Sequence, residues 1–330
     1  MRSPIMQLLS RVAALGMLAA AAASPVARAQ PYPSRPIQFI VPYSAGGAAD
    51  LAARALAQSA QKHLDQPIVV ANRVGGNGVV GSQVVLNAEK DGHTLLIARV
   101  GSHAVGPALD KSFPFTWNSF AFLGMLEIDP YVCVVGKDSP YRTLADLVGA
   151  VRAAPGKLTF ATSGTVDTSV VFPVRIMLRS GLKTDAITPV PYKGGGETLN
   201  AVLSGQVNFA CSPLAPYATS IRAGSLRALV VSTHARVAGI DAPTAQEVGM
   251  PELETMSGWT ALYGPPGLPQ AIVDRWTSVL GQVKSDPDWA RQVRARGSEP
   301  AIMSPADTGR FVESQFKAYA ELAPMLGIRK

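Results

Sequence analysis

The sequence is poor in cysteine, histidine and charge. Of its 330 residues only two are cysteine and four are histidine, and Asp, Glu, Lys and Arg together make up 16%. The histidines lie far apart, no Lys/Arg run occurs, and no basic stripe alternates with aromatic residues. Metal sites and nucleic-acid binding are therefore disfavoured. Hydrophobic residues make up 47%, which excludes an intrinsically disordered chain.

The first 29 residues have the features of an export signal. Arg2 and Arg11 give a positive start, Val12 to Ala23 is apolar, and Ala27-Arg28-Ala29 fits the cleavage pattern. A membrane anchor is the alternative, but the apolar run is too short to span a bilayer comfortably. We expect cleavage after Ala29 and a periplasmic mature protein. That protein keeps 27 basic and 23 acidic residues, a net charge of +4, which suits an anionic small molecule.

The two cysteines, Cys133 and Cys211, have two possible states. In an exported protein they could form a disulfide. Both lie in strand-like apolar runs, and free cysteine is among the most buried residue types. We expect two buried free thiols, although the sequence alone leaves the bridge open.

Strand-like and helix-like segments alternate along the mature chain. The segment 37–98 has a βαβαβ pattern, which is typical of a parallel sheet covered by helices, and a second cycle follows over 131–231. We therefore expect an α/β fold of two domains, each a mostly parallel sheet flanked by helices. The expected parts are a signal peptide at 1–29, a discontinuous first domain at 30–129 and 233–330, a second domain at 130–232, and hinges near Asp129 and Thr233.

Two loops of small residues join a strand to a helix at equivalent places in the two units. They are Pro42–Ala49 and Thr162–Ser169. Small residues let a ligand approach the backbone, and a helix start offers unpaired N–H groups and the positive end of a dipole. Two such ends facing each other across a cleft would hold two anionic groups, so a dicarboxylate is the simplest ligand. Ordinary glycine-rich turns are the alternative.

Three other features have weaker interpretations. Asp50, in the first turn of its helix, is expected to cap N–H groups rather than receive a ligand amine. The loop Pro191–Gly196 could admit a ligand, with Lys193 as a charge, or could be an exposed turn. His103 could face the cleft or be a satisfied core residue.

No complete catalytic or cofactor signature is present. Gly76–Gly81 matches the dinucleotide fingerprint, but residues 92–109 contain no Asp or Glu to bind the ribose, so we interpret it as a tight turn. The chain has no Gly-x-Ser-x-Gly motif and no P-loop. We expect no enzymatic activity, no cofactor and no metal.

Several short motifs follow one another in order from residue 31 to the end of the chain. They are Tyr32–Ile37, Val41–Asp50, Val70–Arg73, Asp91–Leu96, Pro155–Leu158, Val190–Gly194, Gly224–Leu229 and Ala242–Thr244. Their order and spacing resemble the Bug-type receptors, the periplasmic substrate-binding proteins of tripartite tricarboxylate transporters. The resemblance implies a two-domain Venus-flytrap fold of the type II binding-protein class. It also implies a receptor that binds a small organic acid between its domains and presents it to a membrane permease. We expect this receptor to be a monomer.

Carried over by position, the resemblance implies a set of ligand-binding residues that we complete with Asp50 and Tyr192. The full set is Tyr43, Ser44, Ala45, Gly46, Gly47, Ala49, Asp50, Gly101, Ser102, His103, Ser163, Gly164, Thr165, Asp167, Thr168 and Tyr192. Asp167 departs from the family pattern and would repel a second carboxylate unless it turns away. The site therefore suits a monocarboxylate, or a polar or aromatic acid, better than citrate.

Two alternative functions belong to other classes. The first is an exported serine hydrolase that uses Ser44 or Ser163 with His103. The second is a sensing module that hands its closed form to a membrane kinase, which rests on analogy of fold alone.

Overall fold

A computed structural model describes residues 32–164, 166–324 and 326. The predicted signal peptide, its cleavage site and Thr165 lie outside these residues. None of the helices in the described ranges combines the length and the hydropathy needed to cross a membrane.

The elements follow the expected alternation of strands and helices. The strands are β1 Ile37–Val41, β2 Ile68–Asn72, β3 Thr94–Arg99, β4 Ala121–Gly136, β5 Thr159–Thr162, β6 Thr188–Pro191, β7 Phe209–Pro213, β8 Leu226–Val231, β9 Ser257–Gly264 and β10 Glu299–Pro300. The helices are α1 Ala48–Ala60, α2 Val79–Leu86, α3 Gly106–Leu109, α4 Leu144–Ala153, α5 Thr168–Arg179, α6 Gly195–Leu203, α7 Ala218–Arg222, α8 Gln270–Lys284, α9 Pro287–Ala295 and α10 Pro305–Leu322. A π-helical turn, Gly101–Val105, leads into α3.

The ten strands of the described chain form one curled sheet of mixed direction. The order is β2-β1-β3-β9-β4-β7-β5-β6, with β8 and β10 also paired to β4. Pairing is parallel between β1 and its neighbours β2 and β3, and between β5 and its neighbours β6 and β7. It is antiparallel around β4 and β9 in the middle. The predicted parallel βα units thus lie at the two ends, joined by an antiparallel centre.

Strand β4 belongs to both ends of the sheet. It has 16 residues, and the strand-like apolar run around Cys133 is only a part of it. From Ala121 to Pro130 it pairs with β9, and from Tyr131 to Gly136 it pairs with β7 and β8. We call the part built on β1, β2, β3, β9 and the start of β4 the first lobe, and the part built on β5 to β8 and the end of β4 the second lobe. The predicted hinges and domain limits stay a prediction.

Each lobe buries apolar strands beneath helices. In the first lobe β1 reads Ile-Gln-Phe-Ile-Val because helices cover both faces of the sheet, so Ile37, Phe39 and Ile40 are fully buried. The ring of Phe39 lies 5.7 Å from that of Trp276 on α8. In the second lobe the rings of Phe160 and Phe209 stack at 5.5 Å. The two cores fix the strand ends from which the loops project.

The two cysteines form a disulfide, so the expectation of free thiols was wrong. Cys133 on β4 and Cys211 on β7 are direct partners in the antiparallel register, and both are buried. The sequence places each cysteine in an apolar strand. It does not reveal that the strands pair in the register that sets the two sulfur atoms side by side. Burial and disulfide formation are therefore compatible at these two positions.

Candidate functional site

The loop after β1 presents the start of α1 to a cavity between the lobes. The N-cap residue of α1, Gly47, is extended and has no side chain to cap the helix. Within the described residues, no protein acceptor reaches the N–H groups of Ala48, Ala49 and Asp50. Ala48 and Ala49 line the cavity. Unpaired N–H groups and the helix dipole make this end of α1 suited to an anion.

Asp50 braces this loop. Its Oδ2 accepts the Gly46 N–H at 3.0 Å, and its Oδ1 accepts Nδ2 of Asn72 at 3.1 Å. Arg54 donates to both oxygens, at 3.0 and 2.9 Å. Burial alone would raise the pKa of Asp50, but these hydrogen bonds outweigh it and hold the pKa below the ordinary value. Asp50 acts on the shape of the loop and does not line the cavity.

The loop after β5 is organised differently, because α5 is capped by a carboxylate. Asp167 is its N-cap residue, and its Oδ1 accepts the Ser169 N–H at 2.8 Å and the Ser163 hydroxyl at 3.1 Å. No donor among the described residues reaches Asp167 Oδ2. That oxygen lies against Gly101 of the first lobe, so closely that a Cβ on Gly101 would overlap it. The second helix start is thus already occupied by an anion of the protein itself.

The two loops enclose a cavity of about 40 Å³ between the lobes. A cavity needs roughly 10–15 Å³ to hold one water, so this space takes a small ligand. Its lining residues are Tyr43, Gly47, Ala48, Ala49, Arg99, Val100, Gly101, Tyr131, Ser163, Asp167, Thr168, Gly195, Ser212, Pro213 and Pro216. Seven of the predicted ligand-binding residues are among them: Tyr43, Gly47, Ala49, Gly101, Ser163, Asp167 and Thr168.

The lobes touch around the cavity. The Ser44 N–H donates to the Lys193 carbonyl at 3.2 Å. A Cβ on Gly194 would lie 2.7 Å from Ser44 N, and one on Gly196 would overlap the Ala45 carbonyl oxygen. The loop Pro191–Gly196 is predicted to admit a ligand or to be an exposed turn. In the structure its glycines allow the loop Pro42–Ala49 of the first lobe to approach closely.

A second contact joins the two lobes at the turn Gly76–Gly81. Asn77, in the turn predicted at Gly76–Gly81, donates its Nδ2 to the Val166 carbonyl of the second lobe. Gly164 lies beneath the same side chain, and a Cβ there would clash with it. The backbone of Asn77 is left-handed, with φ at 52°, a conformation that asparagine tolerates better than most residues. This turn therefore joins the lobes.

The other predicted ligand-binding residues lie outside the cavity lining. Ala45 and Gly46 are exposed at the turn, and Gly164 lies beneath Asn77. Tyr192 lines a separate groove of about 550 Å³, together with Asn77 and Lys193. The remaining four, Ser44, Asp50, Ser102 and His103, are not among the lining residues either.

His103 lies in an aromatic cluster beneath the site. Its Nδ1 is 2.8 Å from the Ser102 hydroxyl, and the rings of Phe115, Phe120 and Tyr263 surround it at 5.2–5.4 Å. Burial lowers the pKa of His103 to about 3, so the ring is neutral at physiological pH. Neither Ser44 nor Ser163 is hydrogen-bonded to it. The serine–histidine pair required by the hydrolase alternative is not formed.

Sequence reasoning missed Arg99 and Tyr131 as site residues. Arg99, at the end of β3, lines the cavity while its Nη1 donates to Asp129 and, at 2.5 Å, to the Thr260 hydroxyl. The feature of the sequence that could have indicated Arg99 is that it is the one charged residue at the end of an otherwise apolar strand. Tyr131 lies at the point where β4 changes lobe, and its hydroxyl bonds to that of Thr168. No local pattern marks that position.

Tyr43 brings an unpaired hydroxyl to the same wall. The side chain is 6% exposed, and the oxygen has no hydrogen-bond partner of good geometry among the described residues. Burial, with the nearby Asp167 carboxylate, raises the pKa of Tyr43 above its ordinary value. The phenol is therefore protonated and keeps its hydrogen as a donor at the cavity wall.

The chain matches a protein-family model and several known proteins over nearly its whole length. Residues 52–328 match the model described as "Tripartite tricarboxylate transporter family receptor". "Protein BugT" of Bordetella pertussis is 31% identical over 323 residues, which cover 96% of this chain and 98% of that protein.

Two solved structures with bound acids are also similar. Rpa4515 of R. palustris with adipate is 27% identical, with a TM-score of 0.84 over 90% of this chain and 99% of that one. MatC from Rhodopseudomonas palustris with bound malate is 25% identical, with a TM-score of 0.82 over 88% of this chain and 100% of that one.

Proposed function

Because the chain belongs to the receptor family of the tripartite tricarboxylate transporters, we propose that it is a periplasmic receptor for a small organic acid. The acid binds in the cavity between the lobes and is delivered to a membrane permease. The observation that carries the proposal is the start of α1, where Ala48 and Ala49 line that cavity and their N–H groups have no acceptor among the described residues.

The chemistry of this end fits a carboxylate. A carboxylate accepts several N–H donors at once, and such charge-assisted hydrogen bonds are stronger than neutral ones. The Arg99 guanidinium also lines the cavity, where it is ion-paired with Asp129. The adipate and malate bound by the two similar receptors support the same ligand class.

Closure of the lobes accounts for capture without chemistry. The contacts from Ser44 to Lys193 and from Asn77 to Val166 form only when the lobes meet. A bound acid that touches both lobes favours the closed state by its differential affinity. Closure also removes water and strengthens the hydrogen bonds inside. We propose that this closed form is the one the permease recognises, with the mature chain exported, cleaved after Ala29 and monomeric.

The first experiment is a thermal-shift screen of residues 30–330, stripped of ligand by unfolding and refolding, against mono-, di- and tricarboxylic acids. A ligand at 100 times its Kd stabilises the folded state by about 2.7 kcal/mol, which gives a readable shift in Tm. Amino acids and sugars complete the panel. If no acid raises the Tm, the organic-acid function is wrong.

The substitution Ala48→Pro tests whether the unpaired N–H groups at the start of α1 bind the acid. Proline at the first helical position removes one N–H and suits the helix, because the preceding Gly47 is extended. We expect an intact fold and an affinity for acids about tenfold lower, from the loss of one charge-assisted hydrogen bond. Gln270→Pro makes the same change at the first position of α8, remote from the cavity, and should leave affinity unchanged.

The transport role is separated from signalling in cells. Deleting the gene should abolish uptake of the acid found in the screen, and a copy with the Ala48→Pro substitution should restore it only in part. Normal uptake with a lost transcriptional response to the same acid would favour the sensing alternative.

A further inference from the structure

Asp167 places an unpaired carboxylate oxygen at the wall of the cavity. The residue is 4% exposed, and its Oδ1 is occupied by the Ser169 N–H and the Ser163 hydroxyl. Its Oδ2 receives no hydrogen bond from the described residues, although it lies against Gly101 where the lobes meet. Helix capping needs only one of the two oxygens. The other is left for something inside the cavity.

The charges around the cavity leave Asp167 uncompensated. The cavity is lined by one cationic side chain, Arg99, and that guanidinium is ion-paired with the fully buried Asp129. No salt bridge within the described residues involves Asp167. A buried carboxylate without a cationic partner is costly, and the cost falls when a positive group binds beside it.

The opposite side of the cavity has the opposite preference. There the α1 start offers free N–H groups, and Arg99 also lines the cavity. The two acids of the first lobe in this region, Asp50 and Asp129, are both ion-paired, with Arg54 and Arg99 respectively. The cavity therefore has an anion-binding end on the first lobe and a cation-binding end on the second. One ligand can satisfy both ends only if it carries both charges.

We propose that Asp167 selects ligands that combine one carboxylate with a positively charged N–H group, and that it rejects dicarboxylates. The inference rests on the proposed function, since it assigns the ligand class of the same cavity. The ligand carboxylate binds the N–H groups of α1, and its ammonium group donates to Asp167 Oδ2. Gly101 matters because any side chain there would cover that oxygen.

The test compares acids that differ only in the second group. Isothermal titration of the ligand-stripped protein uses three series on shared carbon skeletons: acetate, glycine and malonate; propionate, β-alanine and succinate; butyrate, 4-aminobutyrate and glutarate. The comparison uses the series whose chain length binds the wild type most tightly. In that series the amino compound should bind at least about tenfold tighter than the dicarboxylate, because it gains one charge-assisted hydrogen bond to Asp167 and avoids repulsion between two carboxylates.

Asp167→Asn isolates the charge. The amide oxygen can still cap α5, while the second position becomes a neutral donor that suits a carboxylate. The preference for the amino compound should fall at least about tenfold, and the dicarboxylate should gain affinity. Asp167→Ser, another good helix cap without charge, gives the same test if the amide variant folds poorly. Asp286→Asn is the matched control, because Asp286 caps α9 away from the cavity and should leave the preference unchanged.

The outcomes separate the two proposals. If acids bind the wild type but the dicarboxylate exceeds the amino compound in every series, Asp167 does not select for positive charge and this inference fails alone. An equal preference in the wild type and in both Asp167 variants overturns it as well. If no carboxylic acid binds in the thermal-shift screen, the proposed function fails and this inference fails with it.

Discussion

The two helix starts at the cavity are preceded by similar loops of small residues, but they differ in whether a side chain of the protein caps their N–H groups. The α1 start follows Gly47, which has no capping side chain, so its N–H groups stay free. The α5 start follows Asp167, whose carboxylate satisfies the Ser169 N–H. One end is open to a foreign anion, and the other already holds an anion of the chain.

This difference corrects the simplest interpretation of the repeated loops. Two strand–loop–helix units predicted two anion sites and hence a dicarboxylate. The N-cap residue decides otherwise, because a helix dipole stabilises whichever anion reaches it first, and a side chain on the same backbone is always present. A repeat in backbone design thus does not imply a repeat in ligand chemistry.

The largest effect is expected from breaking the one covalent link of the second lobe. The disulfide joins residues 78 positions apart, and loop-closure entropy for such a span is worth about 4 kcal/mol. Cys133→Ala with Cys211→Ala should lower the free energy of unfolding by that order in a urea titration. Preference among acids should persist, since neither cysteine lines the cavity. Unchanged stability in both the variant and the reduced wild type would contradict the entropic account.

The next largest effect should come from holding the two helix starts apart. Gly196→Ala puts a methyl group against the Ala45 carbonyl across the cleft, and overpacking costs about 1–3 kcal/mol. Affinity for every acid should fall about 10- to 100-fold. Small-angle scattering should show no compaction on adding ligand. Gly149→Ala, on α4 with open space around it, is the control and should bind normally.

Removing the brace from the first loop should weaken binding without changing preference. Asp50→Ala leaves Gly46, Asn72 and Arg54 without their acceptor, which should cost about 1–2 kcal/mol of stability. Because the folded pKa of Asp50 is depressed, its contribution is present at neutral pH and is lost as the pH falls through that folded value, below 3.8. Acid unfolding of wild type and variant should therefore converge in that range. Curves that stay parallel would argue against the brace.

The smallest effect on ligand affinity is expected from removing the hydrogen bond between Asn77 and Val166. Asn77→Gly keeps the left-handed backbone and removes the hydrogen bond to Val166. We expect affinity to fall about 2- to 10-fold, since one neutral hydrogen bond contributes about 0.5–1.5 kcal/mol. Asn87→Ala removes an exposed bond within the first lobe and serves as the control. A loss greater than that of Gly196→Ala would reverse the order of importance of the two contacts.

Local patterns in the sequence predicted much of the fold. Helix α5, helix α10 and strand β8 each have a clear apolar period and a clear cap or turn at their ends, so local sequence accounts for their limits. Thr143 and Asp146 form a capping box at the start of α4, which their spacing indicates. The first ten residues of β4 carry no such local signal. Register shifts in its pairing with β9 disturb the apolar alternation there.

The site was predicted less completely, because its features are relations between distant residues. In the sequence Gly194 and Gly196 look like ordinary turn glycines. Their role becomes visible only in the structure, where they lie against Ser44 and Ala45 of the other lobe. His103 follows a strand end, where a cleft residue is expected, yet the π-helical turn Gly101–Val105 directs it into the core. The positions of the loops can therefore be predicted from the sequence, whereas the residues of the opposite lobe that contact them depend on tertiary packing.

The place of β9 in the sheet has a consequence for how the chain is made. This strand lies between β3 and β4, so the first sheet stays split until residues 257–264 are available. A chain that emerges from its amino end has by then delivered all of β1 to β8. The edge of β3 that pairs with β9 therefore stays unpaired through most of synthesis, whereas the strands of the second lobe are all available from residue 231. The two lobes thus become complete at different times, and the first lobe, which contains the amino-terminal strands, is finished last.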